Sequence, residues 1–152
     1  MKLREARPGD LPVLLEFEQG VIDEERPFNP AIRDAGVTYY DLPKLMSDPD
    51  SNLQVIEVDG RIVACGYVTI RTSKATFQHE KHAYLGFMYV DREFRGQGVN
   101  QQIVDALIEW GKRRDINDFY LDVYSGNQAA VRAYEKAGFQ PLVTEMVLRL
   151  EH

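Results

Sequence analysis

Two closely spaced glycines, Gly96 and Gly98, follow an apolar run and precede a helical pattern. The apolar run, residues 83–90, is short and rich in aromatic residues, which is typical of a buried strand. Apolar residues at positions 99, 103, 104, 107 and 110 then repeat with helical spacing. Such a turn gathers backbone N–H groups at a helix N-terminus, where the helix dipole adds positive potential. With Arg92 and Arg95 beside it, the turn is predicted to bind a phosphate group.

The turn differs from the common nucleotide-binding loops. A Walker loop has Lys and then Ser or Thr after its second glycine, whereas Gly98 is followed by Val99 and Asn100. The dinucleotide fingerprint needs a third glycine, and residue 101 is Gln. Two glycines alone fit a structural turn as well as a binding loop.

A second segment, residues 127–139, predicts a helix that ends at Gly138. Asn127 and Tyr134 are seven residues apart, so they share one face about 10.5 Å apart at ~1.5 Å per residue. An amide and a phenol in this arrangement suit two points of an extended ligand. A helix-capping Asn and a core Tyr would show the same spacing.

Together the two segments resemble the GNAT superfamily of N-acetyltransferases, and the similarity extends from Leu53 to Leu148. In that family an Arg/Gln-x-x-Gly-x-Gly/Ala loop after the fourth strand binds the pyrophosphate of acetyl-CoA. A later helix carries Asn-x-x-Ala-x-x-x-Tyr-x-Lys-x-Gly-Phe, which this chain matches at Asn127, Ala130, Tyr134, Lys136, Gly138 and Phe139. The chain departs from the family at Asn100, where the loop usually ends in a small residue.

The resemblance implies a single-domain α/β (α+β mixed) fold. Its central sheet would be mixed and mostly antiparallel, splayed between strands four and five, with helices on both faces and acetyl-CoA in the split. The end of strand four, the glycine loop and the later helix would hold acetyl-CoA through Met88, Tyr89, Val90, Arg95, Gly96, Gln97, Gly98, Val99, Asn100, Asn127 and Tyr134. No metal is expected.

The sequence pattern predicts the order of the elements. It begins with a strand over residues 1–6 and a helix from Leu11 to about Ile22, whose apolar face Glu18 interrupts. A short helix is expected at 40–46, followed by a hairpin of strands 53–58 and 61–71 around Asp59 and Gly60. The remaining elements are strand four to about residue 90, a helix to about 114, strand five at 119–124, the Tyr134 helix and a last strand at 142–150.

Length and composition limit the protein's class. The 152 residues suit one domain over 1–150, and residues 151–152 resemble the start of an expression tag. The net charge of −6 argues against a nucleic-acid surface and favours a cationic partner. Without a signal or membrane-spanning pattern, we expect a cytoplasmic protein that is not bound to a membrane, and a homodimer is possible. The single cysteine, Cys65, is expected to be a packed thiol.

Acyl transfer to an amine needs a proton acceptor, oxyanion donors and an acid for the leaving thiolate. A phenol is still protonated at pH 7, and Tyr134 is the predicted acid, as the resemblance also implies. Backbone N–H groups near residues 88–90 would stabilise the oxyanion if strand four has a bulge there. His82 and Glu80 are the candidate bases, on a strand face that they would share with Tyr84 and Met88. A surface position is the alternative for His82.

The motif at residues 79–82 contains two histidines, but on a strand His79 and His82 would face opposite sides, which argues against metal binding. In the family, acceptor specificity lies largely between the first two helices. The candidates there are Glu24, Glu25 and Phe28, although a solvated loop fits the same residues. Tyr84 and Tyr124 are further candidates for the acceptor channel.

Two functions are compatible with these residues. The first is an acetyl-CoA-dependent N-acetyltransferase that acts by direct attack of a primary amine, either a small molecule or a protein amine. The second is a catalytically silent acyl-CoA sensor, for which a thiolate acid would have no use.

Overall fold

The computed structural model describes residues 1–151, and its contacts divide the chain into two units that meet in sequence after Asp122. The first unit contains strands β1 (Lys2–Glu5), β2 (Ser51–Val58), β3 (Arg61–Thr72), β4 (Lys81–Val90) and β5 (Phe119–Tyr120) and helices α1 (Leu11–Glu25), α2 (Leu42–Ser47) and α3 (Val99–Lys112). The second contains helix α4 (Gln128–Lys136). The expectation of one domain over residues 1–150 stays a prediction. So does the tag at 151–152, because His152 lies outside the described residues.

The five strands form one sheet in the order β1-β2-β3-β4-β5, antiparallel except for the parallel pair β4 and β5. The predicted hairpin turn is confirmed at Asp59 and Gly60, whose φ angles of +51° and +78° suit the tight turn that joins twisted strands. Pairing between β4 and β5 covers only Ala83–Phe119 and Tyr84–Tyr120. Past Tyr84 the edge of β4 towards β5 carries no strand pairing within the described residues. The mixed, splayed sheet is therefore confirmed.

Helices cover both faces of the sheet, as expected. On one face, Leu14, Phe17 and Val21 of α1 pack with Tyr67 and Phe87 of the sheet. On the other lies α3, whose five periodic residues are all buried: Val99, Ile103, Val104, Leu107 and Trp110. The helical period read from the sequence therefore identified the buried stripe of α3 correctly.

Two predicted strands differ in the structure. Strand five ends at Tyr120 instead of residue 124, and residues 142–150 form no strand. Their apolar side chains are largely exposed, with Met146 at 89% and Val143 at 82%. Alternating apolar residues produce a strand only where a neighbouring edge pairs with their backbone groups, and the sequence pattern does not encode that edge.

Glu18 does not interrupt the apolar face of α1 but is buried within it, with 1% of its surface exposed. Its Oε2 accepts hydrogen bonds from the backbone N–H groups of Tyr39 and Tyr40, both at 2.8 Å. A buried carboxylate is tolerated where it is hydrogen-bonded in this way. Glu18 thus anchors the irregular segment that connects α1 to α2.

Replacing Glu18 with Met keeps the length of the side chain but leaves two backbone N–H groups without an acceptor. We expect the free energy of unfolding to fall by roughly 2–4 kcal/mol, measured by urea denaturation. The control is Glu16→Met, the same change at an exposed position of α1, which should stay within about 0.5 kcal/mol of the original chain. Equal stabilities of the two variants would contradict an anchoring role.

Candidate active site

A β-bulge interrupts β4 beside the open edge of the sheet. Cys65 pairs with Tyr89 and Tyr67 pairs with Gly86, so Phe87 and Met88 together face the single residue Gly66. Phe87 has a φ of +55°, which is unusual for an aromatic residue. Strand β4 therefore has a bulge, which lies at residues 87–88, next to residues 88–90, whose proposed role as oxyanion donors depends on one.

The bulge changes which side chains share a face. Met88 turns towards α3, where a Cβ on Gly66 would lie 2.6 Å from the Met88 sulfur. Tyr84 stays on the α1 side, with its ring centroid 6.4 Å from that of Tyr67. The prediction that Tyr84 and Met88 lie on one face is therefore wrong, because the extra residue reverses the alternation of the strand.

Backbone groups at the end of β4 reach the open edge. Asp91 donates its N–H to the Val63 carbonyl of β3 at 2.8 Å. Successive N–H groups of a strand alternate between its edges, so the Val90 N–H points to the β5 side. The Val90 carbonyl on that side accepts a 2.8 Å hydrogen bond from Arg95 Nε. The Val90 N–H and carbonyl thus both lie on this edge, and the role of residues 88–90 as oxyanion donors stays a prediction.

The glycine loop forms the N-terminus of α3. Gly96 and Gly98 have φ angles of +75° and +77°, and Gly98 is the N-cap of the helix. Within residues 1–151, the backbone N–H groups of residues 96–101 have no hydrogen-bond acceptor. A Cβ on either glycine would meet no atom within 4 Å, so a ligand can approach the backbone closely. These features match an anion site at a helix N-terminus.

Arg95 connects this loop to α1. One guanidinium nitrogen is ion-paired with the Glu24 carboxylate, and the guanidinium carbon lies 5.5 Å from the centre of the Tyr89 ring. Glu24, predicted to bind the acceptor, is thus next to the predicted phosphate loop. Both side chains are 41% exposed, so the pair contributes little to stability. The acceptor-binding role of Glu24 stays a prediction.

The segment after α1 carries the other acceptor candidates. Phe28 ends a short 3₁₀ helix, Arg26–Phe28, directly after Glu25. Burial raises the pKa of the Glu25 carboxyl, and the neighbouring Glu24 raises it further, whereas a hydrogen bond with Tyr39 acts in the opposite direction. A carboxylate held in such surroundings gains from a cationic partner.

Tyr84 lies between two charged groups that the sequence did not single out. Its hydroxyl donates a 2.8 Å hydrogen bond to Asp122, and the Arg71 guanidinium stacks 3.9 Å from the ring centre. Burial raises the pKa of Tyr84, and the hydrogen bond and charge of Asp122 add to the rise. Tyr84 is therefore a neutral hydrogen-bonding group, and Asp122 is a further carboxylate near the predicted acceptor residues.

His82 and His79 are neighbours in the structure. Residue 79 precedes β4, and the two ring centroids are 5.8 Å apart. The expectation that they face opposite sides is wrong, because strand alternation does not apply to residue 79. Burial lowers the pKa of His82, and His79 and Arg71 lower it further, against a smaller opposing effect of Asp118. Glu80, the other candidate base, is exposed, and its backbone carbonyl accepts a hydrogen bond from the Ser73 N–H.

In the second unit, Asn127 is the N-cap of α4, where its Oδ1 accepts a 3.2 Å hydrogen bond from the Ala130 N–H. The Tyr134 ring lies 6.1 Å from the Phe139 ring, and Gly138, with a φ of +104°, follows the end of the helix. Tyr124 accepts a 2.9 Å hydrogen bond from the Asn127 N–H through its carbonyl. The roles predicted for Asn127, Tyr134 and Tyr124 in binding or catalysis stay predictions.

Cys65 is fully buried, as expected. Its thiol donates a 3.4 Å hydrogen bond to the Phe87 carbonyl, and burial raises the pKa of the thiol well above its usual value. Such a thiol is a packing group and not a nucleophile.

Residues 18–139 match the family model described as Acetyltransferase (GNAT) family. The chain belongs to this family. Among curated GNAT relatives, the uncharacterized N-acetyltransferase YobR of Bacillus subtilis is 38% identical over 58 residues, which is 38% of this chain. The chain spans only about a quarter of YobR, since the alignment covers 24% of that protein.

Solved structures share the GNAT fold. A tetramutant of the BH1408 protein of Bacillus halodurans has a TM-score of 0.88 and 24% identity, covering 99% of this chain and 100% of that one. A predicted acetyltransferase from Clostridium acetobutylicum, solved with acetyl-CoA, has a TM-score of 0.77 and 20% identity, with coverages of 98% and 96%. Within residues 1–151, every helix is too short or too polar to cross a bilayer.

Substituting Val for Gly98 should block close approach of a pyrophosphate to the loop backbone. At acetyl-CoA concentrations ~100 times Kd, the original chain should gain about 2.7 kcal/mol of stability, and Gly98→Val should lose most of this gain in a thermal-shift titration.

Gly60→Val is the matched control, because Gly60 has nearly the same φ (+78°) and equally open surroundings but lies in the hairpin turn between β2 and β3, outside the glycine loop. Both variants carry the strain of a positive φ, whereas only the Gly98 variant should lose acetyl-CoA binding. If Gly98→Val keeps the full thermal shift, the phosphate site lies elsewhere. Gly98→Ala and Gly60→Ala serve as a milder pair for the same comparison.

Proposed function

We propose that this protein is an acetyl-CoA-dependent N-acetyltransferase that transfers the acetyl group to a primary amine by direct attack. The observation that carries the proposal is the run of backbone N–H groups at residues 96–101, which have no acceptor in the described part of the chain. They lie next to a bulged strand whose edge past Tyr84 has no strand pairing there. Family membership and the clostridial structure solved with acetyl-CoA support the same donor. With its lone buried thiol, the protein suits the reducing cytoplasm.

The residues present fit acetyl-CoA, which supplies an activated acetyl thioester. The 96–101 backbone would hold the pyrophosphate, because its N–H groups lack acceptors within residues 1–151 and its two glycines leave space for close approach. The Val90 N–H would stabilise negative charge on the thioester oxygen. Tyr134 would protonate the leaving thiolate, and Asn127 would contribute through the amide group that its capping bond leaves available.

The acceptor amine must lose a proton before or during attack. An amine with a pKa of ~10.4 is only about 0.04% neutral at pH 7. His82 is the proposed base, because the lowered pKa keeps its imidazole neutral at physiological pH. Glu80 is less suited to this role, since its carboxylate is exposed and has no hydrogen-bond or ion-pair partner among residues 1–151 that would position it.

A cationic small molecule or an exposed lysine is the proposed acceptor. Carboxylates from two elements, Glu25 at the end of α1 and Asp122 after β5, lie in the region of the acceptor candidates. The net charge of −6 attracts the same class of partner. Phe28 and Tyr84 would pack against the apolar part of the acceptor.

Release of free CoA in the presence of a panel of primary amines, followed with a thiol-reactive dye, tests the overall proposal. We expect release above the hydrolysis rate with at least one cationic amine. Tight acetyl-CoA binding with hydrolysis alone across a broad panel would instead identify an acyl-CoA sensor.

Tyr134→Phe should lower kcat by roughly 10²–10⁴-fold with little change in the KM for acetyl-CoA, because it removes an acid but keeps the ring packed against Phe139. Steady-state kinetics under conditions where chemistry limits turnover measure this, and the Kd for acetyl-CoA serves as the control. An unchanged kcat would leave water as the proton source.

A further inference from the structure

A continuous chain of hydrogen bonds leads away from His82. Ser73, directly after β3, has its Oγ 2.8 Å from His82 Nδ1 and 2.6 Å from His79 Nδ1. His79 Nε2 lies 2.7 Å from the Tyr120 hydroxyl on β5. The Ser73 N–H donates to the Glu80 carbonyl at 2.8 Å and holds the serine in this place. Four side chains, two from the loop between β3 and β4 and one each from β4 and β5, therefore form one linear network.

The single hydroxyl hydrogen of Ser73 couples the tautomers of His79 and His82. The Ser73 hydroxyl has one hydrogen, so it donates to one Nδ1 and accepts from the N–H of the other. If the His82 Nδ1–H donates to Ser73, the Ser73 hydroxyl donates to His79 Nδ1, and the His79 Nε2–H donates to the Tyr120 hydroxyl. In this direction His82 Nε2 carries a lone pair, and it forms no hydrogen bond within the described residues. If instead the His79 Nδ1–H donates to Ser73 and Ser73 donates to His82 Nδ1, the hydrogen of His82 is on Nε2.

We propose that Ser73, His79 and Tyr120 form a relay that carries the acceptor's proton from His82 to solvent. The inference rests on the proposed function, in which His82 takes a proton from the amine. Ser73 and His79 would then be positioning and relay groups that make His82 a base at Nε2, the nitrogen that the network leaves available.

Each step of the relay moves one proton. His82 Nε2 accepts the proton of the attacking amine, and the Nδ1 proton of His82 passes to Ser73 Oγ. The original hydroxyl proton of Ser73 passes to His79 Nδ1, the His79 Nε2 proton passes to Tyr120, and the Tyr120 hydroxyl proton goes to water. Every bond that breaks is matched by one that forms, and one proton leaves the protein for each amine acetylated.

The charged groups around His82 favour transfer of a proton along the network over its retention on the imidazole. The groups that face His82 are His79 from the loop, Arg71 from β3, Tyr120 from β5 and Asp118 before it. Two of these can be cationic and one is anionic, so a second positive charge on the rings is disfavoured. A shared proton therefore moves along the network more readily than both imidazoles become protonated.

The tautomers of the two histidines provide a test that needs no activity. Long-range ¹H–¹⁵N NMR at neutral pH distinguishes Nδ1–H from Nε2–H imidazoles, and His79→Gln and His82→Gln assign the signals. We expect His82 as the Nδ1–H and His79 as the Nε2–H tautomer, with the preference lost in Ser73→Ala and kept in Ser73→Thr. A His82 that is Nε2–H in the original chain and unaffected by Ser73→Ala would overturn the proposal.

Kinetics test the relay itself. Ser73→Ala should lower kcat about tenfold or more at low buffer concentration, with the KM for acetyl-CoA unchanged, and small buffers such as imidazole should restore the rate. Ser73→Thr should remain active, and Thr76→Ala, an exposed hydroxyl in the same loop, is the matched control.

The failure of each proposal has its own signature. If the original chain shows no amine-dependent release of CoA, the proposed function fails, and the relay fails with it. If the chain acetylates amines and Ser73→Ala keeps the full rate at low buffer, only the relay is overturned. A loss of rate that buffer does not restore would indicate a purely structural role for Ser73.

Discussion

The β-bulge in β4 is the constraint on which the candidate site depends. Two residues, Phe87 and Met88, occupy the space opposite Gly66, and they fit because no side chain projects from Gly66. A Cβ there would lie 2.5 Å from Ile103 of α3 and 2.6 Å from the Met88 sulfur. The bulge and the close packing of α3 together leave room for nothing larger than glycine at position 66. The bulge turns Met88 to one side of the sheet while Phe87 and Tyr84 stay on the other.

The open edge of β4 follows from the short β5. Because pairing ends at Tyr84 and Tyr120, the final residues of β4 have backbone groups on that edge that pair with no strand among residues 1–151. The chain uses one of them, the Val90 carbonyl, to hold Arg95. Arg95 also pairs with Glu24, so the end of α1 and the loop before α3 are linked through one guanidinium. Arg95 thereby connects the proposed acetyl-CoA site to the end of α1, where the acceptor candidates begin.

Buried polar groups position the remainder of the first unit. The Glu18 carboxylate holds the segment after α1 against the helix by accepting hydrogen bonds from the N–H groups of Tyr39 and Tyr40. The Tyr40 ring then packs against Tyr67 and Phe87. At the other end of β4, Ser73 holds two imidazoles in one network. In both places a polar side chain fixes the positions of the groups around it more narrowly than apolar packing does. Hydrogen bonds are directional, and each group donates or accepts a limited number of them.

Local patterns in the sequence determined a large part of the fold. The helical period placed the buried stripe of α3, the Asp59-Gly60 pair placed the hairpin turn, and the two glycines placed the turn that precedes α3. These features depend on neighbouring residues and on φ preferences, so a single segment contains the information. The family motif in the same segments also indicated the fold class.

Only the tertiary structure decided which groups meet across segments. The fold pairs Glu24 with Arg95 and buries Glu18 against a segment that begins 21 residues later. It brings four side chains into one network: Ser73, His79, His82 and Tyr120. It also leaves residues 142–150 without a strand. Each depends on a partner distant in sequence, which periodicity does not report. The bulge shows the physical reason most clearly. One extra residue reverses every later side chain of β4, and the bulge lies opposite Gly66 of another strand, against which α3 packs.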